Sequence, residues 1–308
     1  MVQLRIAFAQ LDSVLQVKRN KYESLCADYD QLAPEDKEEN DQNDLADELI
    51  VEEQAGQGYV HTQKKGRSIH VSHICVQDAD NPLQKPPGDY ISISFASLHD
   101  RLQRTELIDA LLDHLALLMN AAEGSIERVL VVGLGNREIV SDALGPQVAS
   151  QLLVTAHLYE QKETDWLKGT RNVAVLAPGV MGQTGLESSV IIEQVAKRYR
   201  PDLVIVIDAL ATRHLQRINR VIQLSNTGLQ PGSGIGNHRR RINAQTLHVP
   251  VLAIGVATVT SIYAVLEEVL GEEQAADAFV TLTKDLVVTP KEMDEELLHL
   301  ADVMAAAL

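Results

Sequence analysis

The chain has 308 residues, of which 45% are hydrophobic and only 4% aromatic, so its core must be built from Val, Leu, Ile and Ala. The formal net charge is −16 and no basic stripe is present, which argues against direct binding to nucleic acid. No apolar run approaches the length of a membrane span, and the first residues do not form a secretion signal. We therefore expect a soluble, cytoplasmic protein without a membrane partner.

An acidic segment separates the first residues from the rest of the chain. Residues Glu35–Glu53 contain ten acidic residues and one lysine, a density typical of a solvated, mobile and exposed stretch. We therefore divide the chain into two parts. Residues 1–60 form a variable acidic N-terminal segment, and residues 61–308 form a single α/β domain.

Two stretches near the start of this domain alternate polar and apolar residues, as half-exposed strands do. They are residues 68–76 and 90–95, and we expect them to extend one edge of a sheet. A helix is predicted over residues 105–122, because leucines recur there at helical spacing, with Thr105 as its N-cap.

From Ile126 onwards, apolar strands alternate with amphipathic helices. The predicted strands are residues 129–133, 173–177, 203–208, 221–224 and 251–256. The predicted helices are residues 146–158, 186–199, 259–270 and 290–306. This alternation predicts an α/β fold with a doubly wound, mostly parallel sheet flanked by helices.

Two aspartates follow the predicted strands 129–133 and 203–208. Asp142 lies in the loop after the first strand, and Asp208 comes directly at the end of the second. Ligands of open α/β sheets bind outside the carboxyl ends of the strands, so the two carboxylates are candidates for one catalytic site. The alternative is that each aspartate only caps a following helix.

Glycine-rich loops follow the strands and provide candidate substrate contacts, because glycine lets a backbone approach a ligand closely. Backbone N–H groups in these loops could hold a substrate chain or an oxyanion. The candidate substrate-binding residues are Gly135, Asn136, Gly179, Met181, Gly182, Gly232, Ser233 and Gly234.

Other site chemistries fit the sequence poorly. The first loop lacks the G-x-G-x-x-G spacing of a dinucleotide site, because Glu138 stands where the third glycine of that motif would be. No P-loop sequence occurs either. Ser233 lacks the nucleophile-elbow pattern. The sequence offers no cysteine or histidine cluster, so we expect neither a cofactor nor a metal. Residues 239–241, three arginines, are interpreted as an exposed basic loop or an intersubunit contact, with a substrate clamp as the alternative.

The second half of the chain resembles the germination protease family, the endopeptidases that degrade small acid-soluble spore proteins. The similar stretches cover about residues 126–308 and include GLGN at 133–136, DALGP at 142–146, APGVMG at 177–182, IDAL at 207–210 and PGSGIGN at 231–237. In that family the two catalytic aspartates lie in the D-A-L-G-P and I-D-A-L motifs. The resemblance therefore implies catalytic roles for Asp142 and Asp208.

The resemblance also implies a substrate class, a cellular setting and an assembly state. It implies small acid-soluble spore proteins as substrates and action during germination in the forespore or spore core. It also implies synthesis as a zymogen, with residues 1–60 as the candidate pro-region and residues 61–308 as the peptidase domain, and assembly into a homotetramer. Two alternatives remain open: a metal-sensing endopeptidase of the hydrogenase-maturation type, and a spore-associated binding protein that kept the fold without catalysis.

Overall fold

The computed structural model describes residues 45–50, 58–120, 125–161, 167, 169–232, 239–270 and 286–308. All of these belong to one compact unit, Asp41–Leu308. Most of the acidic segment, together with Ser233 and Gly234 of the candidate site, lies outside the described residues.

A nine-stranded sheet forms the centre of the described structure, with the spatial order β1-β2-β3-β7-β8-β6-β4-β5 and β9 paired to β8. The strands are β1 Tyr59–Lys65, β2 Ile69–Val76, β3 Gly88–Phe95, β4 Arg128–Gly133, β5 Asn172–Leu176, β6 Leu203–Ala211, β7 Val221–Ser225, β8 Val251–Ser261 and β9 Val287–Val288. The predicted α/β sheet is therefore confirmed.

One half of the sheet is parallel. Strand β4 pairs with β5 and β6, and β6 pairs with β8, all in parallel. Side chains alternate between the two faces of these strands. On β6, Ile205 and Ile207 belong to one hydrophobic cluster, whereas Val204 and Val206 belong to another. The strands are apolar on both faces because helices cover both.

The other half is antiparallel and includes the N-terminal strands. Strands β2 and β3 extend the sheet as predicted, through antiparallel pairing of β3 with β7. Strand β1 was not predicted, and it lies at the outer edge on β2. Its pattern is weak because most of its residues are exposed, so an alternating apolar signal is missing.

Eight α-helices occur in the described residues. They are α1 Arg101–Asn120, α2 Leu144–Gln151, α3 Ala156–Glu160, α4 Met181–Thr184, α5 Ser188–Tyr199, α6 Ala244–Leu247, α7 Ile262–Leu270 and α8 Met293–Ala307. Helices α1, α2 and α8 share one hydrophobic cluster with the sheet, and α5 packs on the opposite face. None of these helices combines the length and apolar character that crossing a membrane requires.

Three helix predictions are corrected by local contacts. The predicted helix 146–158 is interrupted after Gln151, because Thr155 pairs with Val173 of β5: its N–H donates to the Val173 carbonyl, and its hydroxyl oxygen accepts from the Val173 N–H. Helix α1 begins at Arg101, where the Asp100 carboxylate accepts a hydrogen bond from the Leu102 N–H, so Thr105 is not its N-cap. Residues 259–261 extend β8, whose β-branched residues favour a strand.

A short 3₁₀ turn, Ala46–Leu49, lies on the antiparallel half of the sheet. Leu45 and Ala46 are fully buried, and the Glu48 side chain is 0% exposed. We expected the whole acidic segment to be exposed, and for these residues that expectation is wrong. The physical reason is Arg217, which forms ion pairs with both Asp47 and Glu48 and thereby compensates the buried charge.

Candidate active site

The loop after β4 forms the centre of the candidate site. The Leu134 N–H donates a hydrogen bond of 2.8 Å to the carbonyl of Ile207, which ties the end of β4 to β6 immediately before Asp208. Gly135 has φ +113°, and a Cβ atom there would lie 1.9 Å from the carbonyl oxygen of Asp142. Only glycine fits this close approach, so the residue is required by the loop geometry.

Asp142 lies in a 3₁₀ turn, Val140–Asp142, just before helix α2. Its Oδ2 atom accepts a hydrogen bond of 2.8 Å from the Asn136 N–H. Helix α2 has Ala143 as its N-cap and no side-chain cap, so the capping alternative for Asp142 is wrong. The carboxylate is instead held by the loop that follows β4.

Burial raises the pKa of Asp142, because removal of water penalises the charged form. The hydrogen bond from Asn136 and the positive charge of Arg239 oppose this shift, and burial has the larger effect. The net effect is an upward shift, so the folded chain binds this proton more tightly than a fully solvated aspartate would.

Asp208 lies inside strand β6, three residues before its end, and not past the strand as predicted. The strand continues because β8 is long enough to pair with it, with Asp208 opposite Gly255. Asp208 is 7% exposed, and its Oδ1 atom accepts a hydrogen bond of 2.9 Å from the Ala209 N–H. A position within a strand also excludes the helix-capping alternative.

The two aspartates flank the same stretch of backbone, Leu134–Asn136. Asp142 receives its hydrogen bond from Asn136, and Asp208 directly follows the residue that accepts from Leu134. Gly145 at the start of α2 packs against both strands, since a Cβ atom there would lie 2.3 Å from the Leu134 carbonyl oxygen and 2.7 Å from that of Ile207. The fold thus places Asp142 in the turn before α2 and Asp208 within β6, the strand adjacent to β4.

A second glycine loop, between β5 and α5, is joined to the first by side chains. Gln183 donates from Nε2 to Oδ1 of Asn136 at 2.7 Å. Gly179 has φ +73°, and its carbonyl accepts a hydrogen bond of 2.8 Å from the hydroxyl of Ser188. Asn136 therefore contacts Asp142 through its backbone and the second loop through its side chain.

Met181 and Gly182 lie on the exposed side of this second loop. The Met181 side chain is 46% exposed, and a Cβ atom at Gly182 would meet no other heavy atom within 4 Å. These residues leave open space beside Asn136, which is compatible with contact to an extended chain.

The third predicted loop, between β7 and α6, is described only at its two ends. Gly232 is half-buried at the first end, and Arg239 is half-buried at the second. Arg239 acts on Asp142 through its charge, so it belongs to the surroundings of the candidate site. The sequence interpretation of residues 239–241, an exposed basic loop or an intersubunit contact with a substrate clamp as the alternative, contains no indication that the charge of Arg239 acts on Asp142.

Thr258 is a second residue that the sequence did not single out. Its hydroxyl donates a hydrogen bond of 2.8 Å to the carbonyl of Ser141, and its side chain is fully buried. Strand β8 thereby fixes the turn that carries Asp142. A polar residue in an apolar strand was the available signal.

The family model for Germination protease matches residues 33–271 of this chain. The germination protease of Oceanobacillus iheyensis is 41% identical over 206 residues, which covers 66% of this chain and 56% of that relative. The germination protease of Clostridium acetobutylicum is 37% identical over 278 residues, which covers 80% of this chain and 85% of that relative. This chain therefore spans little more than half the length of one curated relative and most of the other.

Among solved structures, the [NiFe] hydrogenase maturation protease HycI from Thermococcus kodakarensis KOD1 is similar, with a TM-score of 0.34 and 19% identity. The similarity covers 62% of this chain and 98% of that one. The family model covers well over half of the chain and includes both aspartates and the loops around them. The chain belongs to the germination protease family.

Proposed function

We propose that this chain is an endopeptidase that hydrolyses peptide bonds with Asp142 and Asp208 as an acid–base pair. The observation that carries the proposal is the environment of Asp142: a carboxyl group whose pKa is raised by burial, held by the Asn136 N–H, in the loop that joins β4 to α2 and is tied to β6 immediately before Asp208. Membership of the germination protease family supports the same activity.

In the proposed mechanism Asp142 carries the proton and Asp208 is ionised. The raised pKa of Asp142 favours this assignment, because the group that keeps its proton can donate a hydrogen bond to the scissile carbonyl. Asp208 then accepts a proton from the attacking water. During the attack, Asp142 gives its proton to the developing oxyanion, which yields a neutral gem-diol. As the C–N bond breaks, Asp208 passes its proton to the leaving amine and Asp142 takes back a proton from the diol, which restores the starting protonation states.

The second loop is proposed to hold the substrate chain. Its residues Gly179 to Gly182 lie beside Asn136 and end in open space, where backbone N–H groups can pair with an extended peptide. The exposed Met181 offers an adaptable apolar contact. Gly232, Ser233 and Gly234 remain candidates for the opposite side.

The substrate class is proposed from the family: small acid-soluble spore proteins, cleaved in the spore during germination. Assembly into a homotetramer and a pro-region within residues 1–60 are likewise proposals. No cofactor or catalytic metal is required by the two-carboxylate mechanism.

The test is cleavage of a purified small acid-soluble spore protein by the full chain and by two variants, Asp142→Asn and Asp208→Asn. Each variant should lose at least about 100-fold in turnover, the range expected when a positioned acid or base is removed. Asp113→Asn is the matched control, because Asp113 is an exposed aspartate on α1. Circular dichroism should be native for all three.

Two outcomes would reject the proposal. Near-normal turnover by either active-site variant would remove that aspartate from the mechanism. Binding of the substrate without cleavage by the unmodified chain would instead identify a non-catalytic binding protein with this fold.

A further inference from the structure

A cluster of two histidines and one glutamate lies on the face of the sheet that α1, α2 and α8 cover. His99 lies in the loop between β3 and α1, and Glu295 and His299 lie on α8. One ligand atom from each of the three residues lies within 4.8 Å of the other two. We propose that these residues bind a divalent transition-metal ion, for which Zn²⁺ is the best match.

The chemistry of the three ligands fits this class of ion. Two imidazoles and one carboxylate form a set that Zn²⁺ uses when a fourth position is left to water. Hard cations such as Mg²⁺ and Ca²⁺ prefer oxygen ligands throughout, so they should not compete. Ligand atoms around one tetrahedral Zn²⁺ lie about 3.3 Å apart, given bond lengths of about 2.0 Å. Closing from 4.8 Å needs only side-chain rotation, and the 58% exposure of the His99 side chain allows it.

Helix α8 gives the site a rigid base. Glu295 and His299 are four residues apart, so they project from the same side of the helix. Between them, the helix buries Leu297 in the main hydrophobic cluster. Two of the three ligands are therefore held by packing that does not depend on a metal.

His299 provides independent support for the site. Its Nδ1 atom is buried and has no hydrogen-bond partner among the described residues, which is uncommon in native structures and calls for an explanation. Its ring meets that of His99 edge to face, with 5.3 Å between the ring centroids. Coordination of a metal ion between these residues would account for both observations.

The neighbouring acid, Glu296, is engaged elsewhere. Both of its carboxylate oxygens accept hydrogen bonds from the Arg220 guanidinium, at 2.9 and 3.1 Å. Its Oε1 atom is also 4.0 Å from Nε2 of His99. Glu296 therefore already has a cation partner, which leaves Glu295 as the carboxylate ligand.

A metal ion here would join α8 to the loop after β3. Its role is structural, because the proposed peptide-bond chemistry uses Asp142 and Asp208 and needs no metal. This cluster could not be recognised from the sequence, since His99 and His299 are far apart along the chain and only packing of α8 brings them together. From the sequence we expect no metal, and metal binding by this cluster is therefore a proposal that goes beyond that expectation.

The experiment measures metal binding by the full chain after treatment with a chelator and removal of the chelator. Isothermal titration with ZnCl₂ should give one site per chain, and saturating Zn²⁺, at about 100 times Kd, should raise Tm by about 5 °C. Bound Co²⁺ should show the absorption of a nitrogen- and oxygen-ligated site. MgCl₂ should give neither binding nor a change in Tm.

Three variants assign the ligands. His99→Ala, Glu295→Gln and His299→Ala should each weaken Zn²⁺ binding at least tenfold, about the effect of disturbing a metal site's ligands or their supports. His157→Ala is the matched control, because His157 is an exposed histidine on α3, and it should bind as the unmodified chain does. His99 is exposed in a loop, so its variant should fold even if the α8 variants do not.

The proposal is overturned if the unmodified chain takes up no Zn²⁺, or if His99→Ala binds as tightly as His157→Ala. The binding measurements need no substrate, so they stand whether or not the peptidase proposal is correct. If a substrate is cleaved, the chelated chain should keep its turnover while it loses the rise in Tm. Loss of turnover that Zn²⁺ restores would overturn the structural role.

Discussion

Buried carboxylates have different interaction partners in the parallel and antiparallel halves of the sheet. In the antiparallel half, Asp47 and Glu48 are paired with the guanidinium of Arg217, at 2.7 and 3.3 Å. In the parallel half, Asp142 has a backbone N–H as its hydrogen-bond donor, and burial raises its pKa. The comparison teaches that the partner of a buried carboxylate matters: one matched by a cation anchors a segment, whereas at Asp142 the backbone N–H and the charge of Arg239 do not offset the effect of burial on the pKa.

The largest effect is expected from Gly135→Ala, which introduces a Cβ atom where two backbone segments of the parallel half approach each other closely. The new Cβ atom would lie 1.9 Å from the Asp142 carbonyl oxygen at a φ of +113°, so the loop must move. We expect a loss of about 3 kcal/mol in the free energy of unfolding, measured by urea titration. Asp142 would be displaced with the loop, and cleavage of a spore-protein substrate should fall with it.

Gly182→Ala is the matched control for that variant, because a Cβ atom there meets no heavy atom within 4 Å. It should keep the stability of the unmodified chain. If both variants unfold at the same urea concentration, the close approach at Gly135 does not constrain the site.

Arg217→Ala tests the antiparallel half and should have an intermediate effect. Removing the guanidinium leaves the fully buried Glu48 and the nearly buried Asp47 without their cation. Because Arg217 is itself 20% exposed, we expect the free energy of unfolding to fall by about 2 kcal/mol, less than the usual cost of breaking a fully buried ion pair. Limited proteolysis should open the chain near residues 45–50 before the sheet unfolds.

Lys197→Ala is the control, because its ion pair with Glu193 spans one turn of α5 at the surface and should matter little. Global unfolding of Arg217→Ala without early cleavage near residues 45–50 would show that this segment is not a separately anchored unit.

The smallest effect concerns the stability of Asp142→Asn and its dependence on pH. The folded-state pKa of Asp142 is raised, so the folded chain binds this proton more tightly than the unfolded chain. The resulting stabilisation is complete below the unfolded pKa, about 3.9, and is lost as pH rises through the folded pKa. Above the folded pKa the ionised, buried carboxylate destabilises the fold, and asparagine removes that cost.

Urea titration from pH 4 to pH 7 checks the direction in which the stability difference between Asp142→Asn and the unmodified chain changes with pH. The variant should be at least as stable as the unmodified chain at pH 7, and its advantage should shrink as pH falls. An advantage that grows towards pH 4 would mean that the anion of Asp142 is favoured by the fold, which contradicts its proposed role as the proton carrier.

The order of apolar strands and amphipathic helices could be predicted from the sequence, because burial on both faces leaves continuous Val, Leu and Ile runs such as β6. Strand β1 could not, since an exposed edge strand needs no apolar alternation. The C-terminal end of β6 was predicted at residue 208, but the strand continues to Ala211. The partner strand β8, and not the local sequence around Asp208, decides where pairing stops.

For the site, the sequence determined the two aspartates and the glycines around them, because their residue types and strand-end positions follow from local pattern. Only the tertiary structure decided which groups surround them. Arg239, Thr258 and Gln183 come from elements distant in sequence, and their contacts with Asp142, Ser141 and Asn136 exist only when strands and loops pack together. Burial, which sets the pKa of Asp142, is likewise a property of the packed chain, because no stretch of sequence by itself excludes water.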